Sequence, residues 1–129
     1  MNTLAGGLVM LKIEWSEYYE LNDINIKAKV QEKSGVYRMA EPITDGKVQP
    51  FYVGQAEELC TRLLQHISGA EQNSCIKKTI REKKCYFRFA YVPKAEERNS
   101  IERALYDHFD KPKCNAIVPP GTAIDVNFE

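Results

Sequence analysis

Leu59, Leu63 and Ile67 recur at helical spacing, and Leu64 widens the stripe, so residues 57–68 are predicted to form an amphipathic helix with its apolar side on a sheet. Just upstream, two short apolar and aromatic runs, 35–41 and 49–54, flank Ile43-Thr44-Asp45-Gly46-Lys47. Asp-Gly between strand-like runs is a turn signal, so the runs are expected to pair as antiparallel strands whose same-face side chains become neighbours. Gly54 ends the second strand where the backbone must turn tightly or approach another group closely. Downstream the pattern predicts a helix over 73–83, a strand over 85–92 rich in Tyr86, Phe87, Phe89 and Tyr91, and a helix over about 95–109. Pro112 and Pro119-Pro120-Gly121 then close off regular structure. Before the hairpin, residues 8–15 read as a strand with partial alternation, and 16–34 are polar and ambiguous, with a short helix near 24–30.

This order of elements predicts a small α+β layer, with helices packed against an antiparallel sheet. Length and composition agree: 129 residues, 43% hydrophobic and 28% charged, suit a single compact domain. There are no repeats, low-complexity tracts or Gly/Ser linkers. The apolar run Leu4–Leu11 is too short to cross a membrane and no basic stretch precedes it, so a cytoplasmic location is the default expectation. Cys60, Cys75, Cys85 and Cys114 show no Cys-x-x-Cys pairing and no His at ligand spacing, so buried or half-buried free thiols are expected, not a zinc or redox site. His108 follows Asp107 on a predicted helix; adjacent helical residues diverge, so a surface or packing role is expected there.

The chemistry lies in an ordered set of residues. Gly35-Val36-Tyr37 and Tyr52-Val53-Gly54 sit on the two paired strands, and Arg62 and His66, four residues apart, project together from a flank of the following helix. A guanidinium presents a fixed fork of donors suited to phosphate, and an imidazole accepts or delivers a proton near neutral pH. The set resembles the GIY-YIG nuclease superfamily, whose two tyrosine motifs read here as GVY and YVG. The resemblance continues through Gln55, Arg62 and His66 to Glu102 on the last predicted helix and to Asn115, covering roughly residues 34–116.

The resemblance implies a central three-stranded antiparallel sheet flanked by helices, with residues 1–34 as an N-terminal extension, 35–116 as the nuclease-like core and 117–129 as a tail. It further implies metal-assisted hydrolysis of a DNA phosphodiester. Tyr37 would act on the attacking water, Tyr52 beside it would orient water or phosphate, and Glu102 would hold one divalent cation. Oxygen ligation by a lone carboxylate favours Mg²⁺ or Mn²⁺, which keeps several waters and completes its shell with substrate phosphate, so the ion is expected to bind together with DNA. A phenol with a pKa of about 10 is a poor base at neutral pH. Tyr37 therefore needs either nearby positive charge or an acceptor that takes its proton onward, and His66 is the natural acceptor. Arg62 would bind the scissile phosphate and stabilise charge on its oxygens. Gly35, Gly54 and Asn115 would support the site.

Each residue alone would mean little. A strand tyrosine is usually a packing residue, Arg62 a solvated helix residue, Asn115 a turn residue, and Glu102 a surface partner of Arg98 or Arg103. Zero formal net charge and a pI of about 6.7 are unlike a dedicated nucleic-acid binder. The local exception is Lys77, Lys78, Arg81, Lys83, Lys84 and Arg88, of which Lys77, Lys78, Arg81 and Lys84 are the expected contacts to a DNA backbone, against a solvated helix face as the plain alternative. Two further functions compete with the nuclease: a nucleic-acid-binding module with little turnover, and an interaction domain that meets a protein partner through residues 1–34. DNA is the expected substrate, in a repair-type or mobile-element setting, with RNA left open and no membrane involvement.

Overall fold

The structure, a computed structural model, describes residues 2–3 and 9–129, with side chains from residue 11 onward. In chain order the elements are β1 (Asn2–Thr3), β2 (Val9–Leu11), β3 (Tyr19–Glu20), α1 (Asp23–Lys29), β4 (Gly35–Pro42), β5 (Val48–Ala56), α2 (Leu59–Ile67), α3 (Ser74–Glu82), β6 (Tyr86–Tyr91), α4 (Ala95–His108) and β7 (Asp125–Val126). The main sheet is antiparallel with order β3-β6-β4-β5. Its three long strands are those expected; the two-residue β3 adds a fourth at the edge.

The hairpin is made by its turn chemistry. Asp45 and Gly46 both have positive φ, 63° and 70°, and Lys47 N–H donates to the Thr44 carbonyl at 3.3 Å. That pair of left-handed residues matches the twist of the flanking strands, which is why Asp-Gly is favoured there. β4 is paired on both sides and covered on both faces, so Gly35 to Glu41 are all buried. β5 is the edge strand, and the site gathers around it.

Alternation along the strands divides the core in two. Tyr37, Met39, Phe51, Phe87 and Phe89 face α1, α2 and α3 through Ile26, Leu59, Leu63 and Ile76. Val36, Val53, Ala90 and Val92 face α4 through Ile101, Ala104 and Leu105. α1 is set by a side-chain cap, Asn22 Oδ1 accepting from Asn25 N–H at 2.8 Å, and α3 by Asn73 Oδ1 accepting from Ile76 N–H at 3.1 Å.

The expected strand 8–15 is shorter. Only Val9–Leu11 is strand, and it joins β1 and, in parallel, β7 in a separate small sheet; Leu8 lies outside the described residues. Ile13 and Trp15 leave strand geometry because Asn127 holds them: its side chain bonds both backbone groups of Ile13, and Trp15 Nε1 donates to its carbonyl at 2.8 Å. Extension of the main sheet is instead made by residues 16–20, where Ser16 bonds Phe89 and β3 pairs with β6. His108 has the packing role expected, its ring stacked on Phe128 at 3.8 Å.

The expectation of four free thiols is corrected. Cys60 and Cys85 are free, but Cys75 and Cys114 form a disulfide. Both flank the β5 edge: Cys114 N–H donates to the Phe51 carbonyl at 2.9 Å, and Asn73 Nδ2 at the head of α3 donates to the Cys114 carbonyl at 2.9 Å. These contacts bring the two Cα atoms to 5.3 Å, within disulfide reach, although the cysteines are 39 residues apart in sequence.

Candidate active site

Register places Tyr37 opposite Gly54. The phenol lies over the glycine, where a Cβ would meet Tyr37 Oη at 2.6 Å and the Tyr52 ring at 3.0 Å. Gly54 is thus a space for the Tyr37 hydroxyl. Gly35 serves packing instead, because a Cβ there would lie 2.2 Å from the Ala90 carbonyl oxygen of β6 and 2.5 Å from Leu59 of α2.

Tyr37 is 1% exposed and its hydroxyl is 2.7 Å from His66 Nε2. The expectation that His66 projects from a flank of α2 is corrected: with Leu59 and Leu63 it makes the buried stripe of that helix, and it is 1% exposed. His66 Nδ1 lies 2.5 Å from Glu71 Oε2, and Glu71 Oε1 accepts from Asn73 N–H at 2.9 Å. Glu71 is absent from the set picked out in the sequence. It lies in the loop after α2, which Ser68 folds back by accepting from Ala70 N–H and donating to the Gln65 carbonyl. A loop glutamate five residues after a histidine carries no periodicity, so only the fold reveals it.

Tyr52 stands beside the pair, its ring 6.3 Å from Tyr37 and 5.4 Å, edge-on, from His66. Arg62, half-buried on the next turn of α2 toward its N-terminus, acts by its positive charge on both phenols and on Glu71, and donates to Gln65 Oε1 at 3.3 Å. Its own proton is held more firmly than usual: burial works against the charge, but Tyr37, Tyr52 and Glu71 outweigh it.

Glu102 comes from α4, the opposite layer, and reaches the same place because β5 is an edge strand. Tyr52, Asn73, Glu102 and Asn115 line one hollow of about 260 Å³ beside that edge. Gln55 Nε2 donates to Glu102 Oε1 at 3.0 Å and to Asn99 Oδ1 at 2.5 Å, while Gln55 Oε1 accepts from Arg98 Nε at 3.3 Å. Arg98 is otherwise spent on the Val92 and Pro93 carbonyls and Arg103 on Asp107, so neither cation pairs with Glu102. Burial accordingly raises the Glu102 carboxyl above its ordinary range, partly offset by the Gln55 bond.

Burial raises the Tyr37 phenol well above its ordinary value, with Tyr52 and Glu102 adding to the rise and Arg62 opposing it. Tyr52 is raised too, by burial, with Arg62 opposing and Glu102 adding. The first way of making Tyr37 a base, a proton affinity lowered by nearby positive charge, is therefore not met by Arg62. The second, an acceptor on the far side of the proton, is present as His66.

Asn115 lines the Glu102 hollow with its side chain bonded to the edge strand. Its Oδ1 accepts from Val53 N–H and its Nδ2 donates to the Val53 carbonyl, both at 2.9 Å. It satisfies the outward backbone groups of an edge strand and so holds Tyr52 and Gly54 in place.

The basic cluster is divided by the fold. Lys77 and Arg81 line a hollow with His66, Ile67 and Ser68, at the C-terminal end of α2. Lys78 and Lys83 line another with Glu41, where Lys83 and Lys113 pair with the carboxylate at 3.0 and 2.8 Å. Lys84 pairs with Glu20, and Arg88 donates to the Ser16 carbonyl.

Among the described residues no three His, Cys, Asp or Glu side chains come together to hold a metal ion. A single carboxylate sharing a hollow with Tyr52 still offers hard oxygen donors, which suit a cation that keeps most of its waters.

No family model and no curated protein matches the chain. Solved structures do. The GIY-YIG N-terminal endonuclease domain of UvrC from Thermotoga maritima, bound to magnesium as its catalytic divalent cation, is 23% identical, with a TM-score of 0.54 over 71% of this chain and 97% of that one. A point mutant of the same domain, also bound to its catalytic cation, is 22% identical over 71% and 97%, again with a TM-score of 0.54. The chain thus has the fold of a GIY-YIG domain, the α+β fold expected from its two tyrosine motifs. No helix among the described residues is long and apolar enough to cross a membrane.

Proposed function

We propose that this chain is a metal-dependent endonuclease that hydrolyses DNA phosphodiester bonds. The observation that carries the reading is the 2.7 Å contact between the Tyr37 hydroxyl and His66 Nε2. A buried phenol is inert as a base unless its proton has somewhere to go, and this fold supplies the place.

In the reaction, Arg62 binds the scissile phosphate and its charge stabilises the oxygens as negative charge accumulates. A water positioned between Tyr37 and Tyr52 gives a proton to the Tyr37 oxygen while the Tyr37 proton passes to His66 Nε2. The resulting hydroxide attacks phosphorus, and the P–O bond to the leaving sugar oxygen breaks, that oxygen taking a proton from solvent water. His66, now an imidazolium beside Glu71, releases its proton when product leaves. A divalent cation held by Glu102 would supply Lewis-acid polarisation of the phosphate and stabilise the leaving oxygen. Gln55 orients the Glu102 carboxylate, and Asn115 keeps the edge strand in register. Lys77 and Arg81 extend the positive surface from the site along the DNA backbone; Lys78 and Lys84 lie outside that path.

Nuclease activity is supported by the endonuclease domain that shares the fold. The deciding experiment incubates purified protein with labelled branched, nicked, single-stranded and duplex DNAs in Mg²⁺, Mn²⁺ or chelator. Metal-dependent cleavage, lost on chelation, is expected, with the product ends reporting which ester bond is cut. Tight binding without cleavage on every substrate and with either metal would instead assign a binding module.

A further inference from the structure

The Tyr37–His66–Glu71 chain has a direction built into it. An ionised carboxylate only accepts hydrogen bonds, so the 2.5 Å contact between Glu71 Oε2 and His66 Nδ1 requires the proton to sit on Nδ1. A neutral imidazole carries one N–H, so Nε2 is then a bare acceptor facing the Tyr37 hydroxyl at 2.7 Å. The phenol must donate inward, which leaves its oxygen lone pairs turned toward the site, where a water can be activated.

We propose that Glu71 is a positioning residue: it fixes His66 in the Nδ1–H tautomer, aligning Tyr37 as proton acceptor from water, and it stabilises the imidazolium formed during the reaction. The proposal rests on the nuclease reading. Three observations make the arrangement specific. Glu71 is 7% exposed and His66 1%, so water cannot substitute for the carboxylate without rearrangement. The other carboxylate oxygen, Oε1, is held by Asn73 N–H at 2.9 Å, which fixes the rotation of the group. Asn73 is itself fixed, as the cap of α3 and as donor to the Cys114 carbonyl. Burial, with the Arg62 charge added, disfavours the resting imidazolium over the opposing pull of Glu71, so His66 rests neutral, the form that can accept the Tyr37 proton.

The Asn73 contact makes Glu71→Gln a sharp test. Its N–H needs an acceptor, so the introduced amide must turn its oxygen to Asn73 and its NH₂ to His66 Nδ1. The amide donates to Nδ1, the ring proton moves to Nε2, and Nε2–H then donates to Tyr37. Acceptance of the Tyr37 proton is blocked, although size and the Asn73 bond are kept. Glu71→Ala leaves the tautomer unforced.

The measurement pairs ring-¹⁵N NMR with single-turnover cleavage. The chain has two histidines, so a His108→Asn background assigns the His66 signals. Wild type should show Nδ1 protonated and Nε2 bare, and Glu71→Gln should exchange them. Cleavage should fall by about 10⁴-fold in Glu71→Gln, the loss seen when a triad histidine is held in the wrong tautomer, with DNA affinity unchanged. Glu71→Ala should fall less. That ranking is the opposite of a merely structural role, in which alanine loses both the volume and the Asn73 bond and must be worse. A wild-type His66 protonated on Nε2, or an alanine variant slower than the glutamine variant, overturns the proposal. If wild type cleaves nothing, the nuclease reading fails, while the ring nitrogens still decide whether Glu71 fixes the tautomer.

Discussion

A Cβ on Gly54 would lie 2.6 Å from the Tyr37 hydroxyl, so the glycine of the second motif exists for the tyrosine of the first. The two motifs are one structural unit, a phenol and the space it fills across a strand pair.

From this follows a contrast between glycines. Gly54→Ala forces the Tyr37 ring away from His66, and misplacement by about an ångström costs roughly 10²-fold in rate. Overpacking should also cost about 1–3 kcal/mol of stability, leaving a folded protein. Gly35→Ala instead meets the Ala90 backbone at 2.2 Å, where nothing can swing aside. Thermal melts with cleavage assays should show Gly54→Ala folded and nearly inactive, and Gly35→Ala failing to fold.

Glu102→Gln keeps size and can keep the Gln55 contact, but removes the charge proposed to hold the cation. Metal-dependent cleavage should vanish while DNA binding stays equal or strengthens, because a negative charge facing phosphate has gone. Arg62→Ala should lose turnover and affinity together, since its fork is proposed to contact phosphate before and during reaction. Wild-type rates for Glu102→Gln in saturating Mg²⁺ would move the ligand elsewhere.

The division of the basic cluster is testable by salt. Each phosphate contact contributes about 0.9 to the slope of log affinity against log salt. Lys77→Glu with Arg81→Glu should weaken DNA binding and flatten that slope by about 1–2. Lys78→Glu should leave both unchanged, since that side chain shares the Glu41 hollow on another side of α3. Equal effects of the two changes would restore a single track.

Local pattern and turn chemistry explain why so much of the core could be read beforehand. Asp45-Gly46 announces the hairpin, and Leu59 and Leu63 announce the buried face of α2. What could not be read depends on contacts that no local period encodes. Spacing alone puts His66 on a flank, yet it completes the buried stripe, because a polar ring enters a core only where partners such as Tyr37 and Glu71 wait for it. Glu71 arrives on a loop with no period. Cys75 and Cys114 meet only because α3 and the segment after α4 both line the β5 edge.

That disulfide yields a prediction. Closing a loop of 39 residues stabilises by about 4 kcal/mol on the chain-entropy account. Cys114→Ser should lower the melting temperature as reductant does in wild type, and reductant should then have no further effect. Thiol titration of unfolded wild type should count two free thiols before reduction and four after, from Cys60 and Cys85 alone and then from all four.

The buried histidine also sets a pH dependence of stability. Burial lowers the His66 pKa from 6.5 to about 4, assisted by Arg62 and opposed by Glu71. Lys77 and Arg81 share its hollow from α3, adding positive charge, while Tyr37 and Tyr52 stay neutral in this range. Between those pH values the unfolded chain binds a proton that the folded chain does not, so stability must rise with pH across the window. The contribution is complete above the unfolded pKa and lost as pH falls toward the folded one. Glu71 acts with the same sign at the acid end: burial pushes its carboxyl up, but bonds from Asn73 and His66 outweigh this and hold it below its ordinary value. Urea midpoints followed from pH 4 to 7 should therefore climb steeply in wild type and less in His66→Asn. Parallel curves for the two proteins would mean that His66 titrates alike folded and unfolded, and that it is not held neutral between Tyr37 and Glu71.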